Sequence, residues 1–252
     1  MLNLFSMKNI LFIISLFFIS CSKDRTLQKI SSIENPNIVL IFMDDLGYGD
    51  IMQFGSINYE TPHINKLAKE GMLFTNFYSV QAVCSASRAA LLTGSYPNRI
   101  GISGALMPYS TTGLNENEIT IAELLKEKGY ATSIFGKWHL GFQEKFLPLN
   151  HGFDTFLGLP YSNDMWPVDF DGNQISDSSD WRKKSYPQLP LIENFNKIDE
   201  IRTLEDQAKL TTLLTERSVE FINNNKDNPF FLYIPHPMPH VPIAVSNKLR
   251  VK

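Results

Sequence analysis

Cysteine and positive charge are both scarce in this chain of 252 residues. Its two cysteines can form at most one disulfide, and their sequence settings differ, so we expect no disulfide framework. Lys and Arg number 23 against 26 Asp and Glu, which gives a formal net charge of −3. Because nothing in the chain is basic enough for a nucleic-acid-binding face, we expect no nucleic-acid partner. The loop LGYGDI lacks the third glycine of a dinucleotide-binding fingerprint, which excludes that class.

The apolar run at the N-terminus is too short to cross a membrane comfortably. Lys8 precedes residues 10–20, ILFIISLFFIS, whereas a spanning helix needs about 20 apolar residues. The pattern is typical of a secretory signal peptide. It ends in FISCSKD, which resembles the lipobox of bacterial lipoproteins, although Phe18 stands where Leu is usual. A plain secretory signal with an incidental Cys21 is the alternative.

These features divide the chain into three parts. We expect a lipoprotein signal peptide at residues 1–20, a polar tether at 21–36 that begins with lipidated Cys21, and one folded domain at 37–252. The mature protein would be exported across the inner membrane and held by its lipid at a periplasmic or cell-surface membrane. The length permits one large domain, and no internal repeat or linker divides it.

The domain alternates strand-like and helix-like segments. Continuous apolar runs such as NIVLIFM (37–43) and PFFLYIPH (229–236) are typical of strands that are buried on both faces. Further strands are predicted at 72–80 and 130–138, and helices at 61–71, 120–129 and 204–225. This alternation predicts an α/β fold with a doubly wound, mostly parallel sheet. Residues 160–203, rich in Asp, Ser, Asn and Pro, are expected to form an excursion over the sheet edge.

Polar side chains follow several of these strands. They are Asp44 and Asp45 after the first strand, Lys137 and His139 after IFG, and His240 after the last strand. Because ligands of open parallel sheets bind at the carboxyl ends of the strands, we expect these residues to lie close together. Two adjacent carboxylates repel each other, and a hard cation such as Ca²⁺ relieves that cost. Taken alone, each residue is more simply explained as part of a solvated loop.

Cys84 opens the segment CSASRAALLTG, whose helix-forming residues and final glycine predict a helix. A helix N-terminus carries partial positive charge and free N–H groups, which favour an anion. Arg88 lies four residues further on, on the same helix face, and adds a fixed cation. A small apolar residue packed beneath the helix would not require that arginine. The pair therefore indicates a site for a reactive group and an anion.

The stretch CSASR fits the sulfatase signature Cys-x-Pro/Ala-x-Arg, and ALLTG continues that pattern. Other motifs in family order are PNIVLIFMDDLGYGD, GYATSIFGKWHLG, HGFDTFLGLPYSNDM and PFFLYIPHPMPHVP. From Asn37 to its end, the chain therefore resembles the type I, formylglycine-dependent sulfatases of the arylsulfatase kind, in the alkaline-phosphatase-like superfamily. The resemblance implies that fold and the hydrolysis of aryl or carbohydrate sulfate esters.

The same resemblance implies roles around the nucleophile. A sulfatase-maturating enzyme would oxidise Cys84 to formylglycine (3-oxoalanine), whose hydrated aldehyde attacks the sulfate ester. Asp44 and Asp45 would bind Ca²⁺ together with the modified Cys84. Arg88 would hold the hydrated aldehyde in place. A serine at position 84 could attack but would remain sulfated, so the cysteine is interpreted as a precursor.

The remaining candidates would act on the sulfate and its leaving group. Lys137 and His240 would bind sulfate oxygens, and His240 or a further lysine would protonate the leaving alcohol. His139 would take a proton from the second hydroxyl of the sulfated intermediate, which expels sulfate and restores the aldehyde. Ser162, in PYSND, matches a position that lines the sulfate pocket.

Two other functions stay open at this point. Relatives with the same cysteine motif hydrolyse phosphonate or phosphate esters, so the chain is also compatible with that activity. A non-catalytic, glycan-binding lipoprotein on a degenerate sulfatase fold is the second alternative. The intact Cys84, Arg88, Lys137 and His139 argue against it.

The resemblance further implies that the catalytic domain is truncated. In this family an Asp-Asn pair closes the calcium site and a second lysine contacts the sulfate, both C-terminal to the HPMPHVP motif. No such pair follows that motif here. We therefore expect residues 37–252 to lack the C-terminal subdomain, to expose apolar surface on PFFLYIP, and to be inactive alone.

Overall fold

The computed structural model describes residues 35–247, so the predicted signal peptide, Cys21 and most of the predicted tether lie outside it. Six strands are found in the described residues: β1 Ile38–Asp44, β2 Ala131–Lys137, β3 Thr155–Leu159, β4 Leu189–Glu193, β5 Asn196–Ile201 and β6 Phe230–Pro239. They form one sheet in the order β1-β6-β2-β3-β4-β5. The pairs β1–β6, β6–β2 and β2–β3 are parallel, and β3–β4 and β4–β5 are antiparallel. The predicted mostly parallel sheet is confirmed.

Four of the five α-helices in the described residues begin where the sequence signals predict, and the helix at Trp181–Ser185, within the expected excursion, was not predicted. They are α1 Pro62–Glu70, α2 Cys84–Thr93, α3 Ile121–Lys126, α4 Trp181–Ser185 and α5 Leu204–Asn225. At α3, the Thr120 hydroxyl accepts from the Glu123 amide and the Glu123 carboxylate accepts from the Thr120 amide, at 3.2 and 2.7 Å. This reciprocal capping box satisfies two amides that a helix start otherwise leaves unpaired.

No helix in residues 35–247 has the length and apolar character needed to cross a bilayer.

The interior strand β6 separates two apolar cores, because alternate side chains of a strand point to opposite faces. Phe230 and Leu232 pack with Leu210 of α5 on one face. Phe231 and Tyr233 lie on the other face, in a core to which α2 and α3 contribute Ala89, Leu92 and Ala122. Helices thus cover both faces of the sheet, as a doubly wound arrangement requires.

The expected apolar exposure lies on β1, not on PFFLYIP. Phe230 and Phe231 are buried, because β6 is flanked by β1 and β2. β1 is an edge strand in the described part of the chain, and Val39 and Ile41 on one of its faces are 43% and 56% exposed. The prediction that β1 is covered on both faces was therefore wrong for this face.

Two further segments differ from the sequence-based expectation. Residues 72–80 contain no strand, and Phe74, Phe77 and Tyr78 are 66–79% exposed, because no neighbouring strand in the described residues pairs with them. The segment 160–203 is more than an excursion, since its second half folds into β4 and β5 and extends the sheet by two antiparallel strands. Local composition did not reveal these strands because they are short.

Candidate active site

The carboxyl ends of β1, β2 and β6 lie side by side and carry the first site residues. Asp44 and Lys137 are the last residues of β1 and β2, and His240 directly follows β6. Gly136 permits a close approach of β2 to β6: a Cβ on it would lie 2.1 Å from the carbonyl oxygen of Pro235. Since a side chain cannot be accommodated there, glycine is required for this geometry.

Asp44 lies between two buried cations. Lys137 Nζ donates to Asp44 Oδ2, and Arg88 Nη2 lies 3.4 Å from Asp44 Oδ1; both basic side chains are fully buried. Burial disfavours the carboxylate, but Arg88 and Lys137 outweigh it and hold the pKa of Asp44 far below its usual range. Lys137 Nζ also donates to Ser162 Oγ at 2.8 Å. Two cations against one carboxylate leave a buried excess of positive charge, which suits an anionic group.

Cys84 is the first residue of α2 and is held close to Asp44. The preceding residue, Val83, is extended and has no side-chain oxygen to cap the helix, so the N-terminal amides of α2 are not satisfied by a side-chain cap. Cys84 is a half-buried free thiol. Its Sγ, a carboxylate oxygen of Asp44 and a ring nitrogen of His240 all lie within 4.8 Å of one another.

His240 is arranged as a proton donor. One ring nitrogen, Nδ1, lies 2.6 Å from the Val241 carbonyl oxygen, and the other, Nε2, lies 3.5 Å from Asp45 Oδ2. Burial opposes the charged ring, but hydrogen bonds with Cys84 and the Val241 carbonyl raise the pKa of His240 to about 9. With an unmodified thiol at position 84, the imidazole therefore holds its proton near neutral pH.

His139 has the opposite protonation preference. Its Nε2 lies 2.8 Å from the Leu106 carbonyl oxygen, which places the proton on Nε2 and leaves Nδ1 as the basic nitrogen. Within residues 35–247, Nδ1 is buried without a hydrogen-bond partner. Burial, with the charges of Lys137 and Arg88, keeps the pKa of His139 well below its usual range. The site thus contains a neutral base and a protonated acid.

Backbone strain marks the same region. Asp45 and His139 both have φ of +59°, the left-handed region that non-glycine residues rarely adopt. Such conformations cost about 1–3 kcal/mol and persist only where the surroundings hold them. Asp45 directly follows Asp44 at the end of β1, and His139 lies two positions after Lys137 at the end of β2.

The donor set fits a hard cation in part. Asp44 and Asp45 offer carboxylate oxygens, which Ca²⁺ prefers, while Cys84 Sγ and the His240 ring beside them are poor calcium ligands. Replacement of the thiol by the hydroxyls of a hydrated aldehyde would turn Cys84 into an oxygen donor. Ca²⁺ takes six to eight oxygens, so Asp44, Asp45 and position 84 would leave positions for other oxygen ligands.

The structure brings most of the sequence-predicted residues together. The contacts described above connect seven of them: Asp44, Asp45, Cys84, Arg88, Lys137, Ser162 and His240. His139 lies close enough for the charges of Lys137, Arg88 and Asp44 to affect its pKa. Cys21 lies outside the described residues, so its role stays a prediction.

The sequence analysis missed two residues that support the site. Leu106 holds His139 through its backbone carbonyl, for which no side-chain signal exists. Asn163, fully buried, donates from Nδ2 to the carbonyl oxygens of His240 and Val241 at 3.2 and 3.4 Å. Its position beside Ser162 in PYSND was the available signal.

Known proteins are similar to this chain in sequence and in fold. Residues 36–252 match the Sulfatase family. Arylsulfatase G from Mus musculus is 38% identical over 228 residues, which cover 85% of this chain and 43% of that protein. Human N-acetylgalactosamine-6-sulfatase is 36% identical over 226 residues, which cover 84% and 41%. The crystal structure of PsFucS1 sulfatase from Pseudoalteromonas sp. matches with a TM-score of 0.74 and 32% identity, over 85% of this chain and 46% of that one.

A mostly parallel sheet with this site at its carboxyl edge is the sulfatase fold of the alkaline-phosphatase-like class. The chain belongs to the sulfatase family. It spans less than half the length of the relatives described above.

Proposed function

We propose that this chain carries the catalytic site of a sulfuric ester hydrolase that acts on aryl or carbohydrate sulfate esters, with formylglycine at position 84 and Ca²⁺. The observation that carries the proposal is the cluster of Cys84, Asp44 and His240 beside the buried cations Lys137 and Arg88. The relatives described above, an arylsulfatase and an N-acetylgalactosamine-6-sulfatase, support the same class.

The two buried cations would have different roles. Lys137 would bind a sulfate oxygen and Arg88 would hold the hydrated aldehyde, and both are already placed beside Asp44, where they would stabilise developing negative charge. Ser162 fixes Lys137 Nζ by accepting one of its hydrogen bonds. When bound, Ca²⁺ would neutralise charge on the sulfate, and the hydrated aldehyde would supply one hydroxyl to attack and one to release the product.

The two histidines divide the proton transfers. His240 lies beside position 84 and would donate a proton from Nε2 to the departing alcohol oxygen. Neutral His139 is suited to accept a proton at Nδ1, because the Leu106 carbonyl occupies its other nitrogen. Opposite pKa shifts in one site are the pattern of an acid–base pair.

Maturation and export complete the proposal. A sulfatase-maturating enzyme would convert Cys84, and the protein would be exported and held through lipidated Cys21 at a periplasmic or cell-surface membrane. The support is the sequence pattern of residues 1–21, a hydrophobic segment that ends at a cysteine after a small residue.

The test compares aryl sulfate and aryl phosphate esters as substrates for protein that has been co-expressed with a maturase, with and without a calcium chelator. We expect calcium-dependent hydrolysis that prefers the sulfate ester and is lost in Cys84→Ala. The 252-residue chain and any longer polypeptide that contains it are both assayed, because the chain spans less than half the length of the relatives it matches. Preference for the phosphate ester in a Cys84-dependent reaction would instead establish the phosphate or phosphonate esterase, and glycan binding without turnover the non-catalytic lipoprotein.

A further inference from the structure

Exposed aromatic rings and basic side chains lie together between β3 and β4. Phe170 and Trp181 are 58% and 55% exposed. The Arg182 guanidinium carbon lies 4.3 Å from the ring centroid of Phe170 and 5.0 Å from that of Trp181. Lys183 and Lys184 follow directly and are exposed. We call these five residues the aromatic-basic patch.

The basic side chains of the patch lie outside the ion pairs of residues 35–247, although four acidic residues flank Phe170 or precede Trp181 in the sequence: Asp169, Asp171, Asp177 and Asp180. None of its three basic side chains forms an ion pair within the described residues. Asp180 caps α4 by accepting from the Arg182 amide at 2.7 Å, and Asp177 accepts from the amide and hydroxyl of Ser179 at 2.8 Å. These three adjacent basic side chains can therefore donate to an anionic ligand.

A short series of contacts connects the patch with the active site. The Trp181 ring packs edge-on against Tyr186, with ring centroids 5.2 Å apart. The Tyr186 hydroxyl lies 3.8 Å from Met107 Sδ, and the preceding residue, Leu106, holds His139 through its carbonyl. The patch therefore borders the loop that supports the proposed base.

Aromatic rings and basic side chains complement different parts of one ligand class. A broad aromatic face packs against the C–H face of a sugar ring. Trp181 is exposed and its ring is held by Tyr186, so little side-chain entropy is lost when a sugar binds to it. Arg and Lys bind sulfate through charge-assisted hydrogen bonds, and Arg182 is preoriented between two rings. A small aryl sulfate, which carries a single ring and a single sulfate, has no second group to reach these residues.

We propose that the aromatic-basic patch binds a second, sulfated sugar unit of a glycan whose scissile sulfate ester occupies the Cys84 site. The inference rests on the proposed sulfatase function and specifies its substrate class as a multiply sulfated oligosaccharide or polysaccharide. Trp181 stacks on the neighbouring sugar ring, and Arg182, Lys183 and Lys184 bind its sulfate.

Binding is measured by titration calorimetry with the Cys84→Ala chain, so that no turnover is needed. The ligands are a multiply sulfated hexasaccharide, its fully desulfated counterpart and a single-stranded DNA oligonucleotide. In this background, Trp181→Ala and the triple variant Arg182→Ala/Lys183→Ala/Lys184→Ala should each weaken binding of the sulfated hexasaccharide at least tenfold. The desulfated hexasaccharide and the DNA should bind at least tenfold more weakly than the sulfated one.

Matched variants control for lost charge and lost aromatic surface. Lys69→Ala/Lys128→Ala/Lys226→Ala removes three exposed basic side chains elsewhere and should leave hexasaccharide affinity unchanged. Tyr96→Ala removes an exposed ring that also carries an arginine, with Arg99 5.7 Å from its centroid, and should likewise have no effect. Thermal unfolding of every variant verifies that it is folded.

Unchanged affinity in folded patch variants, or equal affinity for DNA, overturns the proposal. Weakened hexasaccharide binding in the patch variants supports it even if neither the matured chain nor a longer polypeptide that contains it hydrolyses a sulfate ester. In that case the sulfatase function fails and the glycan-binding surface stands. If aryl sulfates are hydrolysed but the patch variants bind the hexasaccharide with unaltered affinity, the sulfatase function stands and the glycan-binding patch is refuted.

Discussion

Lys137 donates to Asp44 in an ion pair that is almost completely shielded from water, with side-chain exposures of 0% and 5%. Arg88 approaches the other oxygen of the same carboxylate. In such an arrangement, the carboxylate compensates the cost of burying two cations. Asp44 therefore has a structural role in addition to its proposed role as a calcium ligand.

Replacement of Asp44 by Asn should strongly destabilise the fold. Asparagine has nearly the same shape but no charge, so Lys137 and Arg88 would remain buried without a counter-ion. Breaking a buried pair in this way costs about 3–5 kcal/mol. Urea unfolding at neutral pH, without added calcium, measures the loss in the free energy of unfolding.

The adjacent Asp45→Asn is the matched control for that variant. The Asp45 side chain is 62% exposed, and asparagine tolerates the left-handed backbone found there. Its effect on the free energy of unfolding should stay within about 0.5 kcal/mol. Equal destabilisation by the two variants would contradict the role assigned to Asp44.

Stability should fall as the pH drops below about 6.5, the usual pKa of histidine. His151 is fully buried, neither of its ring nitrogens has a hydrogen-bond partner among the described residues, and burial lowers its pKa. The unfolded chain takes up the proton first, so the contribution is present above pH 6.5 and is lost as pH falls towards the lowered pKa. His139 and His236 act in the same direction.

Replacement of His151 by Phe should reduce that pH dependence. One fewer titrating group lowers the slope of the free energy of unfolding by at most about 1.4 kcal/mol per pH unit. Urea unfolding at pH 5, 6 and 7 gives the slope, and His63→Phe, at an exposed position, is the control. An unchanged slope in folded His151→Phe would refute the assignment.

Cys84 should be converted to formylglycine when the protein is made together with a sulfatase maturase. The motif CSASR at the start of α2 is the basis of this prediction. Mass spectrometry of the tryptic peptide that ends at Arg88 should show the loss of one sulfur and two hydrogens and the gain of one oxygen, because the CH2–SH group becomes an aldehyde. Protein made without a maturase provides the unmodified reference, and an intact thiol after co-expression with an active maturase would rule the conversion out.

The role of His240 predicts a dependence on the leaving group. His240→Gln cannot donate a proton from a charged ring, and loss of a general acid costs about 10²–10⁴ in rate where proton donation is needed. The kcat of matured protein should therefore fall much more for a sugar sulfate than for 4-nitrophenyl sulfate, whose phenolate departs without protonation. Equal losses on both substrates would show that His240 acts only in binding.

Cys21 should be the membrane attachment point. Cys21→Ser removes the thiol that would carry the lipid, so the exported protein should move from the membrane fraction to the soluble fraction. Cell fractionation with detection of the protein measures this. Retention of the variant in the membrane fraction would argue against the lipobox.

The sequence was sufficient to predict the parts of the molecule that depend on local chemistry. Capping at Thr120, the helix that begins at Cys84 and the long amphipathic helix of residues 204–225 follow from side chains a few positions apart. The alternation of these helices with apolar strands then predicted a parallel sheet, and the ends of its strands predicted where the polar residues meet.

Only the tertiary structure decided the properties that depend on contacts distant in sequence. The exposed face of β1 and the absence of a strand at 72–80 reflect which strands are available for pairing. The opposite protonation states of His139 and His240 arise because one ring is buried beside two cations and the other contacts Cys84 and a carbonyl group. A pKa is set by the charges and solvent around a group, and those are determined when distant segments pack together.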